Sequence, residues 1–124
     1  MARMAVGPGV AERESLLLRG SLDMCVLAII AREPMHAYGV VRRLADFGIE
    51  TGYGTVYPLV TRLRARGLVT HAAEPGASGP TRHVLSPTAA GRASLDEWAA
   101  QWRASVSRVE AVLEDRPRGG TSDG

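Results

Sequence analysis

Four helix breakers, Pro34, Gly48, Gly67 and Pro87, divide most of this chain into pieces too short for long elements. Proline lacks the N–H that a helix interior needs, and glycine adopts the left-handed turn that closes a helix. Only the segment after Pro87 is free to run on. Between the breakers the hydrophobic period predicts what each piece becomes.

Residues 16–32 are apolar nearly all round a helical wheel, through Leu16, Leu17, Leu18, Leu22, Val26, Leu27 and Ile30, which predicts one buried helix stopped at Pro34. HAYGVVRRLADFG (36–48) sets Val40, Val41, Leu44 and Phe47 at helical spacing against Arg42, Arg43 and Asp46. IETGYG reads as a turn, and a third helix runs to Gly67 on a stripe of Val56, Leu59, Val60 and Leu63. LVTHAA (68–73) and TRHVL (81–85) are β-prone and flank EPGASGP (74–80), which predicts a hairpin. Thr88 then caps a final helix reaching about Asp115, roughly 40 Å long. In it Leu95, Ala99, Trp102, Val106, Val109 and Leu113 repeat in a 4-3-4-3-4 spacing, a heptad seam that suits a partner helix.

The order of elements predicts a mainly α chain with a small β-hairpin: a winged helix-turn-helix plus a long C-terminal dimerisation helix. By domain, residues 1–14 read as a flexible arm, 15–87 as the winged helix-turn-helix, 88–115 as the dimerisation helix and 116–124 as a disordered tail. A chain of 124 residues has room for one such domain and its appendage.

Charge separates the two parts. The net charge is +2, and all fifteen basic residues are arginine. Residues 36–67 carry five arginines against two acids, whereas 88–115 carry three against five. A basic middle and an acidic end suggest two faces with different partners. The single cysteine, Cys25, forbids an internal disulfide, and the start has no secretory leader, so the expected location is the cytoplasm. The apolar run 22–31 contains Asp23 and is too short to span a bilayer, so no membrane partner is expected.

The start of the third helix is unusual. GYGTVYP (52–58) gathers two glycines, two tyrosines and a proline. Pro58 is costless in the first turn of a helix, and Gly54 or Thr55 would then serve as its cap. Free N–H groups and a partial positive charge at a helix start suit a phosphate, and Tyr53, Thr55 and Tyr57 add hydroxyls beside it. Thr61, Arg62, Arg64 and Arg66 continue along the helix with no acid among them. Double-stranded DNA is the partner such an end predicts, with the third helix in the major groove. The competing reading is a winged-helix module that binds protein and no DNA.

HAYGVVRRL, GYGTVYPLVTRLRARGLV and SGPTRHVLSPTAAGR together resemble the PadR family of bacterial transcriptional regulators, over about residues 16–115. The resemblance implies a homodimeric repressor of palindromic operators, of the short type with a single C-terminal helix. In many members it also implies release from DNA by a small aromatic effector. DNA contacts are then expected from Tyr38, Tyr53, Gly54, Thr55, Tyr57, Thr61, Arg62, Arg64 and Arg66, and from Arg82 and His83 in the wing. The wing departs from the family pattern: His83 stands where a second basic residue is usual, the aromatic that follows is missing, and Pro87 replaces a leucine.

Trp98 and Trp102 lie four apart, on one helical face. They are expected to fill the dimer interface and to flank a cleft for a small aromatic ligand, which would stack on their indole faces. No cofactor is implied. Cys25, His36, His71 and His83 show none of the sequence spacings of a metal site, and Cys25 reads as a small buried hydrophobe. No nucleophile–base–acid set or phosphate loop is present, so the chain is not expected to be an enzyme.

Overall fold

A computed structural model describes residues 9–74 and 82–115. In chain order these form α1 (Val10–Arg19), α2 (Leu22–Arg32), α3 (Ala37–Asp46), α4 (Tyr53–Ala65), β1 (Val69–Glu74), β2 (Arg82–Pro87) and α5 (Ala89–Glu114). This is a winged helix-turn-helix with a long C-terminal helix. The loop expected between the strands lies outside the described residues from 75 to 81, as do residues 1–8 and 116–124.

The glycine stops act through backbone conformation. Gly48 has φ +82° and Gly67 has φ +76°, values that L side chains rarely adopt. Gly67 closes α4, and its neighbour Leu68 accepts the backbone N–H of Thr88 at 3.0 Å. Thr88 is bound twice more. Its hydroxyl donates to the carbonyl of Gly67 at 2.7 Å and accepts the N–H of Gly91 at 2.9 Å. One threonine therefore caps α5 and ties its start to the end of α4.

The core gathers the inward stripes of three helices. Val26, Leu27 and Ile30 of α2, Val40 and Leu44 of α3, and Val56, Val60 and Leu63 of α4 are all essentially inaccessible. Leu68, Val69 and Leu85 close the core from the hairpin side. At roughly 1.5–3 kcal/mol for each large apolar side chain, this cluster is the main stabilising term. The strands pair antiparallel, from Val69 opposite Pro87 to Glu74 opposite Arg82. Met35 adds an isolated bridge to Leu85, so the residue after Pro34 extends the hairpin by one short pairing.

Several expectations need correction. Residues 16–32 are not one helix: the chain breaks at Gly20 and Ser21, where Ser21 sends both its N–H and its hydroxyl to the carbonyl of Leu18. A serine beside a glycine offers the backbone bonds that compete with helix continuation. Of the apolar run, only the part beyond the break is buried; α1 buries no residue, and Leu16 and Leu17 are 58% and 67% exposed. Helix α1 also begins at Val10, within the stretch expected to be a flexible arm. Phe47 falls outside the core stripe because α3 ends at Asp46 and the chain turns there. Its ring is instead covered by Arg43, 5.1 Å from the centroid, which also pairs with Asp46 at 3.3 Å.

Pro58 is not in the first turn. Gly52 is the N-cap of α4, so the helix starts earlier than expected and Pro58 occupies its second turn. There the missing N–H removes the bond that this position would donate to Gly54.

Candidate nucleic-acid interface

Helix α4 buries Val56, Val60 and Leu63 and turns the opposite side outward. At 100° per residue, the middle line of that outer side is Gly54, Pro58, Thr61 and Ala65. All four are exposed. Every side chain on the line is small. Longer polar groups flank it, with Tyr53, Tyr57 and Arg64 on one side and Thr55 and Arg62 on the other. No acid occurs in the helix. Among the described residues, a β-carbon at Gly52 or Gly54 would meet nothing within 4 Å, and neither residue has a positive φ, so packing among them does not require glycine at these positions.

Beside this line lies a groove where α3, α4 and the hairpin meet, with a volume of about 500 Å³. It brings together five residues expected at a DNA contact: Tyr38, Tyr53, Tyr57, Arg64 and His83. Tyr53 and Tyr57, one turn apart, stack at 5.3 Å with their planes 22° apart. The groove adds two residues that sequence spacing did not single out, His36 and His71. His36 is the N-cap of α3, and its Nδ1 accepts the N–H of Gly39 at 3.2 Å. His71 lies opposite Leu85 and His83 opposite Ala73, so the two histidines are diagonal neighbours on one face of the hairpin. Their Nδ1 atoms are 3.1 Å apart. Loss of water around the ring first, then the charge of Arg64 and the neighbouring His83, lower the pKa of His71 below the ordinary imidazole value.

The other expected DNA residues lie elsewhere. Thr55 lines a second groove, with Leu18 and Arg19 of α1 and Ile49 of the turn. Thr61 and Arg62 are exposed on the outer side of α4. Arg82 sits at the start of β2, opposite Glu74. Arg66 turns towards α5, where its guanidinium lies 5.6 Å from the ring centroid of Trp98. The basic run thus divides between two faces, a split that residue spacing alone does not reveal.

The heptad seam is also divided. Leu95 packs against the core together with Trp98, so the start of the seam is used within the chain. Ala99 and Val106 are half-buried, whereas Trp102 is 45% exposed and Val109 and Leu113 are more open still. Trp98 and Trp102 line a cleft of about 410 Å³ with Arg66, Met24, Asp23 and Gln101. Cys25 is half-buried rather than enclosed. Among the described residues, no group of three His, Cys, Asp or Glu side chains is arranged to hold a metal ion. None of the described helices is long and apolar enough to cross a membrane.

Residues 26–97 match the model of the transcriptional regulator PadR-like family. Among solved structures, a PadR family transcriptional regulator from Eggerthella lenta is 36% identical, with 86% of this chain and 94% of that one covered and a TM-score of 0.80. A Streptococcus transcriptional regulator is 30% identical over 79% of this chain and 97% of its own, with a TM-score of 0.72. A PadR-like transcriptional regulator from Bacillus cereus is 26% identical over 82% and 99%, with a TM-score of 0.73. No curated protein matches the chain in a sequence comparison.

Proposed function

Because the chain belongs to the PadR-like family of transcriptional regulators, we propose that it is a repressor that binds a palindromic operator as a homodimer, with one α4 in each of two successive major grooves. The observation that carries this reading is the outer side of α4. A central line of small residues lets the helix backbone approach base edges closely. The flanking Tyr57, Arg62 and Arg64 then reach the phosphate rims, where contacts fix register and orientation. With half-sites one helical turn apart, the two helices would stand about 34 Å from each other.

The apolar surface left open supports a homodimer. Trp102, Val109, Val112 and Leu113 of α5 and Leu16 and Leu17 of α1 are large, exposed hydrophobics. Isolated exposed apolar residues are ordinary, but a run along one helix marks an interaction surface. A second copy, whose α5 carries the same seam, is the occupant we assign to it.

The tryptophan cleft is the assigned effector site. A flat aromatic molecule would stack on Trp98 and Trp102, and Arg66 lies within reach of both the cleft and the end of α4. Occupancy there would shift α5 relative to α4, and with it the spacing of the two reading heads.

Fluorescence anisotropy with the chain's own upstream region tests the DNA reading. Affinity should fall steeply as salt rises, because each phosphate contact releases a counterion. If no duplex binds at low salt, the protein-interaction module is the better reading. For the effector, tryptophan emission should change on titration with planar aromatic compounds, and the response should be lost in Trp102→Ala. Unchanged emission in both proteins removes the ligand.

A further inference from the structure

We propose that His71 and His83 form a two-ligand site for a divalent transition-metal ion on the wing, open to the groove beside α4. The site was invisible to sequence spacing because twelve residues separate the two histidines and only the hairpin register brings them together. Their Nδ1 atoms stand 3.1 Å apart. An ion bound at about 2.0–2.1 Å from each nitrogen would then see them at roughly 98°, between square-planar and tetrahedral angles. The ring centroids are 4.9 Å apart with planes 46° apart. Without an ion, one of the two ring nitrogens donates to the other, in a direction set by the tautomers; a bound ion would take the place of that shared proton.

The surroundings select the class of ion. Among the described residues no carboxylate lines the groove, and Arg64 brings a positive charge to it. An ion there is held by imidazole bonding rather than by opposite charge, which favours Cu²⁺ and then Zn²⁺ or Ni²⁺ over Mg²⁺ or Ca²⁺. His36 lines the same groove, but no third His, Cys, Asp or Glu among the described residues completes a closed set. Structural sites are closed; sites with vacant positions exchange their ligands. The ion would therefore be exchangeable, and it would cross-link β1 to β2 beside Tyr57 and Arg64. This assignment does not depend on the DNA-binding reading, since it is tested on the protein alone.

The test is calorimetric titration of the full chain with Cu²⁺ and with Zn²⁺, Mg²⁺ serving as comparator, with thermal midpoints recorded alongside. The wild type should take up one ion per chain and melt higher with Cu²⁺ or Zn²⁺ than with Mg²⁺. His71→Ala and His83→Ala should each weaken Cu²⁺ binding at least tenfold, and His36→Asn, which keeps a capping side chain, should not. Both hairpin positions are exposed, so the variants should retain the wild-type circular dichroism. Undiminished Cu²⁺ affinity in His71→Ala and His83→Ala, or no uptake by the wild type at millimolar Cu²⁺, overturns the assignment.

Discussion

Arg66, the C-cap residue of α4, lies over the indole of Trp98 in α5, 5.6 Å from the ring centroid. The contact joins the end of the proposed reading helix to the helix that carries the seam and the aromatic cleft. It also withdraws one arginine from the face that would meet DNA. Arg66→Ala should therefore cost about 0.5–1 kcal/mol in urea denaturation and change duplex affinity little. Arg62→Ala and Arg64→Ala should do the reverse, each weakening binding and reducing the salt slope by about 1. The opposite ranking would make Arg66 a phosphate ligand.

Gly91 is the buried residue of α5, and a β-carbon there would overlap the carbonyl oxygen of Leu68. The obstacle is backbone, so it cannot swing aside. Gly91→Ala should destabilise the fold by at least about 2 kcal/mol, an overpacking cost. Gly20→Ala makes a useful contrast, because no atom of the described residues lies within 4 Å of a β-carbon there and its φ is −75°. That change should be neutral or stabilising by a few tenths of a kcal/mol. Chemical denaturation of the two variants measures both.

Val109 and Leu113 are 57% and 73% exposed and stand outside the buried hydrophobic cluster of the described residues. Replacing both with glutamate should leave the single-chain fold intact while separating the protomers, since buried charge without a partner is strongly disfavoured. Sedimentation at micromolar concentration should show a dimer for the wild type and a monomer for the variant, with helical circular dichroism per residue nearly unchanged. A wild-type monomer would refute the assigned interface.

Cys25 supplies a pH test. Burial, and secondarily the Asp23 carboxylate, raise its thiol above the ordinary value. The fold thus favours the protonated form, and the unfolded chain releases that proton first as pH rises. The group leaves stability unchanged at neutral pH and lowers it only above about pH 9, where a free thiol ionises. Iodoacetamide should label native Cys25 more slowly than a free thiol at pH 8, and denaturant should restore the full rate. Native labelling as fast as that of a model thiol would contradict this.

What the sequence made legible was local. The inward stripe Val56, Val60 and Leu63 could be read from helical period, and the stops at Gly48 and Gly67 from glycine's conformational range. What it concealed depended on contacts between distant residues. Phe47 has the right spacing for the core, but the turn after Asp46 takes it out. Pro58 suits a first turn, yet Gly52 supplies the cap and moves it to the second. The diagonal pairing of His71 with His83 and the approach of Gly91 to Leu68 exist only once strands and helices are assembled. Leu95 belongs to the seam by period and to the core by packing, and period alone cannot separate the two.

The central claim is that α4 reads duplex DNA from two coupled copies of the chain. Selection of bound fragments from the host genome, run in parallel with wild type and an Arg62→Glu, Arg64→Glu variant, tests it most directly. The account predicts wild-type enrichment of fragments holding inverted half-sites about one helical turn (~34 Å) apart, and loss of that enrichment in the variant. Wild-type protein that is folded and dimeric but enriches no sequence, or a variant that enriches the same fragments equally well, would contradict it.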